Sequence, residues 1–243
     1  MIELRDKDNH SVLLRLDAQK LSQARLRKAW LPCVNLYEAD LSDTCLLRAQ
    51  LPNSDLRNAD LTGVILRGAD VRRADLRGAK VRGGRQGLEP SANFALAKLA
   101  SADLAASDLE GVDFSWADLR RAKMQSANIR DALFLYSDLT GADLTGAYLE
   151  GSNFAGAILT HSKLAGVKAQ HAYFFGARVV AVDFSDADLR DTVWEAGVVA
   201  GVDLRGADLR GATGLTNLYG ARWNELTQWP GGFDPMGYRK GAK

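Results

Sequence analysis

The residues of this chain that could do chemistry are few, and they do not converge. Its three histidines are His10, His161 and His171, and they bring no nucleophile and base pair, metal-ligand set or oriented triad with them. The two cysteines, Cys33 and Cys45, stand in no metal-binding or redox spacing and read as filler on the outside of a repeat. The glycines of Arg82 to Asn93, RGGRQGLEPSAN, do not compose a phosphate-binding loop. No catalytic, cofactor-binding or metal-binding residue is therefore expected. What remains is the chemistry of surfaces, carried by recurrent aspartates, arginines and aromatics, and it depends on what sets them side by side.

The element that does so is a short period. Phe94, Phe114, Phe134, Phe154, Phe174 and Trp194 follow one another at intervals of twenty, and between them nearly every fifth residue is large and apolar, as in Leu99, Leu104, Leu109, Leu119 and Met124. Two residues before each large position stands a small one, as at Ala92, Ala97, Ala102, Ala117, Ala122 and Ala127. In extended backbone, residues two apart point the same way, so each small and large pair faces one interior. Five residues make a side and four sides make a coil, which stacks the six aromatics at the strand spacing of about 4.8 Å. The chain reads as an all-β solenoid filled by its own side chains.

The ends and the breaks follow from the same pattern. Ile2 and Leu4, then Val12, Leu14 and Leu16, alternate about the polar stretch Asp6 to Ser11, which predicts a hairpin over 1–15. Its expected role is to cap a coil that would otherwise end in unpaired backbone groups. The repeat is expected over 16–210, about nine to ten coils, with Pro32 and Pro52 at equivalent outward positions. Val81 to Phe94 spans thirteen residues, eight more than a normal side, so 82–93 reads as a loop leaving a corner. Ala169 falls where a leucine is expected and Trp194 fills a place sized for phenylalanine; a bulge or shifted coil is expected between Val167 and Val199. The period lapses at Gly211. The segment 211–243, with Trp223, Trp229, Phe233 and Tyr238, reads as an aromatic cap across the last coil or as a dimer contact.

Over 243 residues the formal charge is +1, which argues against nucleic-acid binding by bulk charge. The halves differ: Met1 to Asn93 carries 16 Lys and Arg against 12 Asp and Glu, and Phe94 to Lys243 carries 15 against 18. No apolar run approaches the roughly 20 residues of a membrane span, and the N-terminus lacks the apolar core of a secretory signal. A cytoplasmic location, without membrane or direct nucleic-acid contact, is expected.

Ala59-Asp60-Leu61-Thr62-Gly63, Ala69-Asp70-Val71-Arg72-Arg73, Ala142-Asp143-Leu144-Thr145-Gly146 and Ala207-Asp208-Leu209-Arg210-Gly211 resemble the A(D/N)Lxx unit of pentapeptide-repeat proteins, over roughly Leu14 to Leu209. The resemblance implies a right-handed quadrilateral β-helix with a small and a large residue of each unit inward and three outward. It also implies a protein partner. The best-understood members of that family protect DNA gyrase and topoisomerase IV from poisons, resemble duplex DNA in width and charge, and in several cases need a projecting loop. On that reading Arg85, Leu88 and Glu89 of the 82–93 segment are the partner-binding loop residues.

The coil count assigns outward residues to faces. Asp55, Asp75, Asp103, Asp143, Asp183 and Asp203 share one face, broken by Lys123 and Lys163 and flanked by Arg57, Arg77 and Arg205. This acidic ladder is the candidate DNA-like surface; the same aspartates also have the character of corner residues that bond nearby backbone. The opposite face, outside the phenylalanines, presents Trp116, Leu133, Leu135, Tyr136, Tyr173, Phe175 and Val193. A contiguous apolar strip marks a contact site, for a protein partner or for a second copy of the chain. Toward the N-terminus this face turns basic, at Arg25, Arg27, Lys28, Arg48 and Arg67, which reads as solvated charge because no stacking aromatics are interleaved. Two functions follow from these features: protection of a type II topoisomerase from a poison, or a general protein-interaction scaffold that uses the aromatic strip.

Overall fold

A computed structural model describes residues 1–81, 92–195, 197–216 and 218–236. The chain forms a right-handed quadrilateral β-helix. At every described corner from Gln23 to Gly211 the second residue after the large one has a left-handed φ, between 53° and 74°. That residue closes a tight turn, as when the Ala97 N–H donates to the Phe94 carbonyl at 2.9 Å, and the turn carries the chain through a quarter circle. The flanking residues are free to pair with neighbouring coils. Lys98 N–H donates down to Ala69, and Leu99 N–H up to Asp118, at 2.8 and 2.7 Å. Each side is too short for much regular strand, so the ladder consists of single parallel bridges such as Asp113↔Leu133 and Asp118↔Asp138.

The four faces are named here by the core residue behind each: face one by Phe114, two by Leu119, three by Met124 and four by Ile129. Small and large residues point inward and pack in one core, buried along most of the coil and only partly buried at Leu21, Ala24, Ala29 and Ala39 near its N-terminal end. The phenylalanines of face one form a continuous pile, with ring centroids 5.3, 5.1, 4.6 and 5.1 Å apart from Phe94 to Phe174, and Trp194 continues it at 4.3 Å. The indole N–H would be a buried unpaired donor, but the Thr192 hydroxyl accepts it at 2.8 Å, which lets a tryptophan occupy a phenylalanine site. Where Ser or Thr replaces the small alanine, its hydroxyl donates to a backbone carbonyl, as Ser54 to Leu31 and Ser152 to Ile129, so buried polarity is satisfied.

The eight extra residues before Phe94 leave the ladder intact. Ile65 bridges Asn93 and Asp75 bridges Asp103, so the coil resumes in register. The bulge or shift expected between Val167 and Val199 is absent from the described part of that stretch. Tyr173↔Val193, Asp183↔Asp203 and the parallel pair β3 (Arg178–Val180) with β4 (Val198–Ala200) all keep the twenty-residue spacing. Ala169 stays fully buried where a leucine is expected, and Phe184 fills a face-three position held by Leu164 and Leu204 in the neighbouring coils, meeting Phe174 and Trp194 edge-on at 6.1 and 5.6 Å. The shortening comes one coil later, where Ala200↔Tyr219 and Asp203↔Arg222 are nineteen apart. Bridging runs on to Asp208↔Gln228, past the point where the pentad pattern lapses.

At the N-terminus β1 (Ile2–Arg5) and β2 (Val12–Leu16) pair antiparallel. The hairpin meets the first complete coil where Asn35 N–H donates to the Arg5 carbonyl and Lys7 N–H to that of Cys33. At the other end Trp229 lies edge-on to Trp223 and stacks on Phe233, at 5.7 and 5.2 Å, and all three pack on the core. Among the described residues no helix is long and apolar enough to cross a membrane.

Candidate protein-docking face

Three of the four faces are occupied with their own charges. On face three the six aspartates do align, in the bridged series Asp55, Asp75, Asp103, Lys123, Asp143, Lys163, Asp183, Asp203. The local rule is simple. An aspartate just before the large residue accepts the backbone N–H two residues on, and when that residue is arginine the guanidinium returns onto the same carboxylate. Arg57 therefore clasps Asp55, Arg77 clasps Asp75 and Arg205 clasps Asp203, each at 2.6 Å. Lys123 reaches Asp103 and Lys163 reaches Asp143, each at 3.6 Å, and Arg222 adds to Asp203 at 2.9 Å. The Arg57 side chain holds the Asp55 carboxyl below its ordinary value against the opposing effect of burial, and Arg205 does the same for Asp203. The column is acidic in sequence and largely neutralised in space. Its lysines are cross-coil partners of the aspartates.

Face four is zipped by a chain of contacts. Arg130 donates to Asn128 and Glu150 and covers the Tyr148 ring at 4.7 Å. Farther along, Gln170 donates to Asp188, which also holds Arg190. Face two pairs Arg72 with Asp70 and Arg120 with Asp118, at 2.6 and 2.7 Å. His161 stands at the corner following face two and His171 at the corner following face four, on opposite sides. Among the described residues no three His, Cys, Asp or Glu side chains gather as a metal site requires.

Face one differs. Trp116 and Tyr136 occupy successive left-handed corners, stack on each other at 4.6 Å and 24°, and remain 59% and 58% exposed. Tyr136 is seated on Gly156: a Cβ there would lie 2.5 Å from the ring. Leu133, Tyr173 and Phe175 are exposed on the same face and Leu135 is half-buried. The strip is not continuous. Leu133 bridges Asn153, which bridges Tyr173, so a coil of Asn153, Ala155 and Gly156 separates Trp116, Leu133, Leu135 and Tyr136 from Tyr173 and Phe175. Sequence spacing supplied the members of the strip, and the small outward residues of the intervening coil were the signal for its division. Leu96, one coil before Trp116 and exposed at the same corner, extends the first group. Nothing among the described residues of the C-terminal segment covers these side chains. Arg85, Leu88 and Glu89 lie outside the described residues.

Among curated proteins none matches the chain. Among solved structures it is similar to HetL, a pentapeptide repeat protein involved in heterocyst differentiation regulation in the cyanobacterium Nostoc, at 26% identity over 87% of this chain and 89% of that one, with a TM-score of 0.48. A thylakoid-lumen pentapeptide repeat protein of Arabidopsis thaliana is 33% identical over 47% of this chain and 70% of its own, with a TM-score of 0.31. QnrB1, a plasmid-mediated fluoroquinolone resistance protein, is 20% identical in a trypsin-treated form, over 86% of this chain and 91% of its own, at a TM-score of 0.39. The profile of pentapeptide repeats matches in eight copies, over 20–58, 54–84, 97–134, 137–174 and 183–213; the chain belongs to the pentapeptide repeat family.

Proposed function

We propose that this protein acts without catalysis, as a stiff rod that docks another protein on face one. The observation that carries the reading is the exposed Trp116 and Tyr136 stack. Two large rings held at rigid corners lose little freedom on binding, and buried aromatic anchors dominate protein interfaces. The charged groups of the other faces are largely paired with one another, so a partner would have to break those pairs or leave them idle, and the large apolar residues exposed there, Trp30, Ile158 and Val198 on face two and Tyr37 on face three, are set apart by polar coils such as those of Gln50 and Arg178.

The partner class offered by the family resemblance is a type II topoisomerase, and protection of DNA gyrase from a poison is the specific activity proposed for test. Its support is the family membership together with the inserted segment 82–93. Charge mimicry of DNA adds little, because five of the six face-three aspartates have a cation within 4.0 Å. Gyrase supercoiling and cleavage would be measured with a poison present, adding wild type, the double variant Trp116→Ala with Tyr136→Ala, or a deletion of 83–90. Rescue by wild type and loss of rescue in the double variant is the expected result. Rescue lost only with the deletion would move the contact to the loop. No effect of any of the three over a wide concentration range would remove the topoisomerase and leave the scaffold reading with a different partner.

A further inference from the structure

The corner that carries Leu96, Trp116 and Tyr136 continues toward the N-terminus through Gly68, Arg48 and Lys28, each one coil farther on. The absent side chain at Gly68 leaves a dip, and Arg48 bends into it, its Cγ 3.4 Å from where a glycine Cβ would stand. The result is a cleft of about 390 Å³ lined by Arg27, Lys28, Arg48 and Arg67, with Leu47 and Leu96 as its apolar walls. All four basic side chains are exposed. Among the described residues no carboxylate lies within ion-pairing distance of any of them, whereas Arg57, Arg72, Arg77, Arg120, Arg190 and Arg205 each clasp an aspartate of their own unit.

We infer that this cleft and the aromatic corner form one site for an extended acidic segment of a partner protein, with carboxylates on Arg48 and Arg67 and an aromatic or aliphatic anchor against Leu96 and Trp116. The inference rests on the docking reading above and specifies the partner's chemistry. Four cations confined to one cleft, with no ion pair among the described residues, call for an anionic occupant, and Arg48 and Arg67 offer forks that match carboxylates. Trp116 and Tyr136 lie two and three coils beyond Gly68, roughly 10–14 Å at the strand spacing, which an extended chain covers in about three to four residues. A nucleic-acid strand suits the site less well. The two rings are stacked on each other, and Tyr136 is closed above by Gly156, so no base enters between them. The cations also span too few coils to follow a phosphate backbone.

The probe is a fluorescein-labelled peptide with a Glu-Glu pair placed that distance before a Phe-Leu pair, followed by fluorescence anisotropy. Control peptides carry Gln for Glu, Ala for Phe and Leu, or a spacer of doubled length, and a labelled oligo-dT tests the nucleic-acid alternative. Saturable binding is expected, weakened at least tenfold by Arg48→Glu with Arg67→Glu, by Trp116→Ala and by each peptide control, and weakened by salt. Gly68→Asn, which tolerates the left-handed corner and fills the dip with no change of charge, should weaken it as well. All the substituted side chains except Gly68 are exposed, so circular dichroism melts should match wild type. Absence of peptide binding at millimolar concentration, equal binding by the Gln peptide or by the arginine variants, or tighter binding of oligo-dT would overturn the inference. Capture of a full-length partner that needs Trp116 and Tyr136 but ignores Arg48 and Arg67 would leave the docking reading standing and remove this one; indifference to all four would remove both.

Discussion

Phe134 sits at the middle of the face-one pile, fully buried, with one ring 5.1 Å below and another 4.6 Å above. Truncation opens a cavity between rigid neighbours that cannot collapse along the axis, so Phe134→Ala should cost about 3–5 kcal/mol; a loss below about 1 kcal/mol in urea unfolding would contradict an interior ring. This pile was legible because its period of twenty is written directly in residue type. The corner contacts were less so. Arg48 bends onto Gly68, Asn58 onto Gly78, Asp131 onto Gly151 and Tyr136 onto Gly156, so a long or polar corner residue is repeatedly followed one coil later by glycine. The pairing is present in the sequence, but its sense depends on knowing that corner side chains lean toward the next coil. Gly156→Ala should force Tyr136 off its seat and strain a left-handed corner, costing about 1–2 kcal/mol. Unchanged stability, with the near-ultraviolet signal of the ring stack preserved, would show that the seat is unimportant.

At the scale of one side, the unit that matters is aspartate, a large residue, then arginine. Asp70-Val71-Arg72 and Asp203-Leu204-Arg205 both hold a nearly buried carboxylate between a backbone N–H and a guanidinium. At Asp203 the Arg205 hydrogen bonds outweigh burial, and the carboxyl is held below its ordinary 3.8. A lowered folded-state value means that the stabilisation is fully present above the unfolded value and is lost as pH falls through the folded one. Stability should therefore be level from neutral pH down to the ordinary aspartate value of 3.8 and fall below it as these units protonate. Asp203→Asn should flatten that acid limb; an unchanged slope would mean that the clasp contributes nothing specific. The sequence showed the alignment of the six face-three aspartates and the nearness of their arginines. It did not show that Lys123 and Lys163 bond back to Asp103 and Asp143, because a break in a one-dimensional column is a contact in a stacked one.

At the scale of the whole molecule, what is conserved along the rod is the quarter turn per five residues, and length is free to vary where it leaves that rotation unchanged. The insertion before Phe94 obeys this, since the spacing across it changes while Ile65 still bridges Asn93. The pattern could not reveal that bridging persists to Gln228, because the final coil keeps its backbone pairing with two bridges spanning nineteen residues each before Asp208↔Gln228 restores twenty, and without the small and large alternation. The same rule separates core from surface. Deleting 142–161 removes one complete coil: Phe174 would then stack on Phe134, Tyr136 would find Gly176 where Gly156 had been, and Tyr173 and Phe175 would stay on face one. Deleting only 142–146 removes a quarter turn. Every pentad after it would still place a small and a large residue inward, so the chain should fold, but Phe154 would rise over Ile129, His161 would replace glycine above Tyr136, and Tyr173 and Phe175 would move to face four. Both deletions should unfold cooperatively in urea. The longer one should keep capture of a face-one partner, and the shorter one should lose at least as much capture as Tyr173→Ala. Full capture by a folded five-residue deletion would mean that the two aromatic groups do not act as one face, and would confine docking to the corner of Leu96, Trp116 and Tyr136.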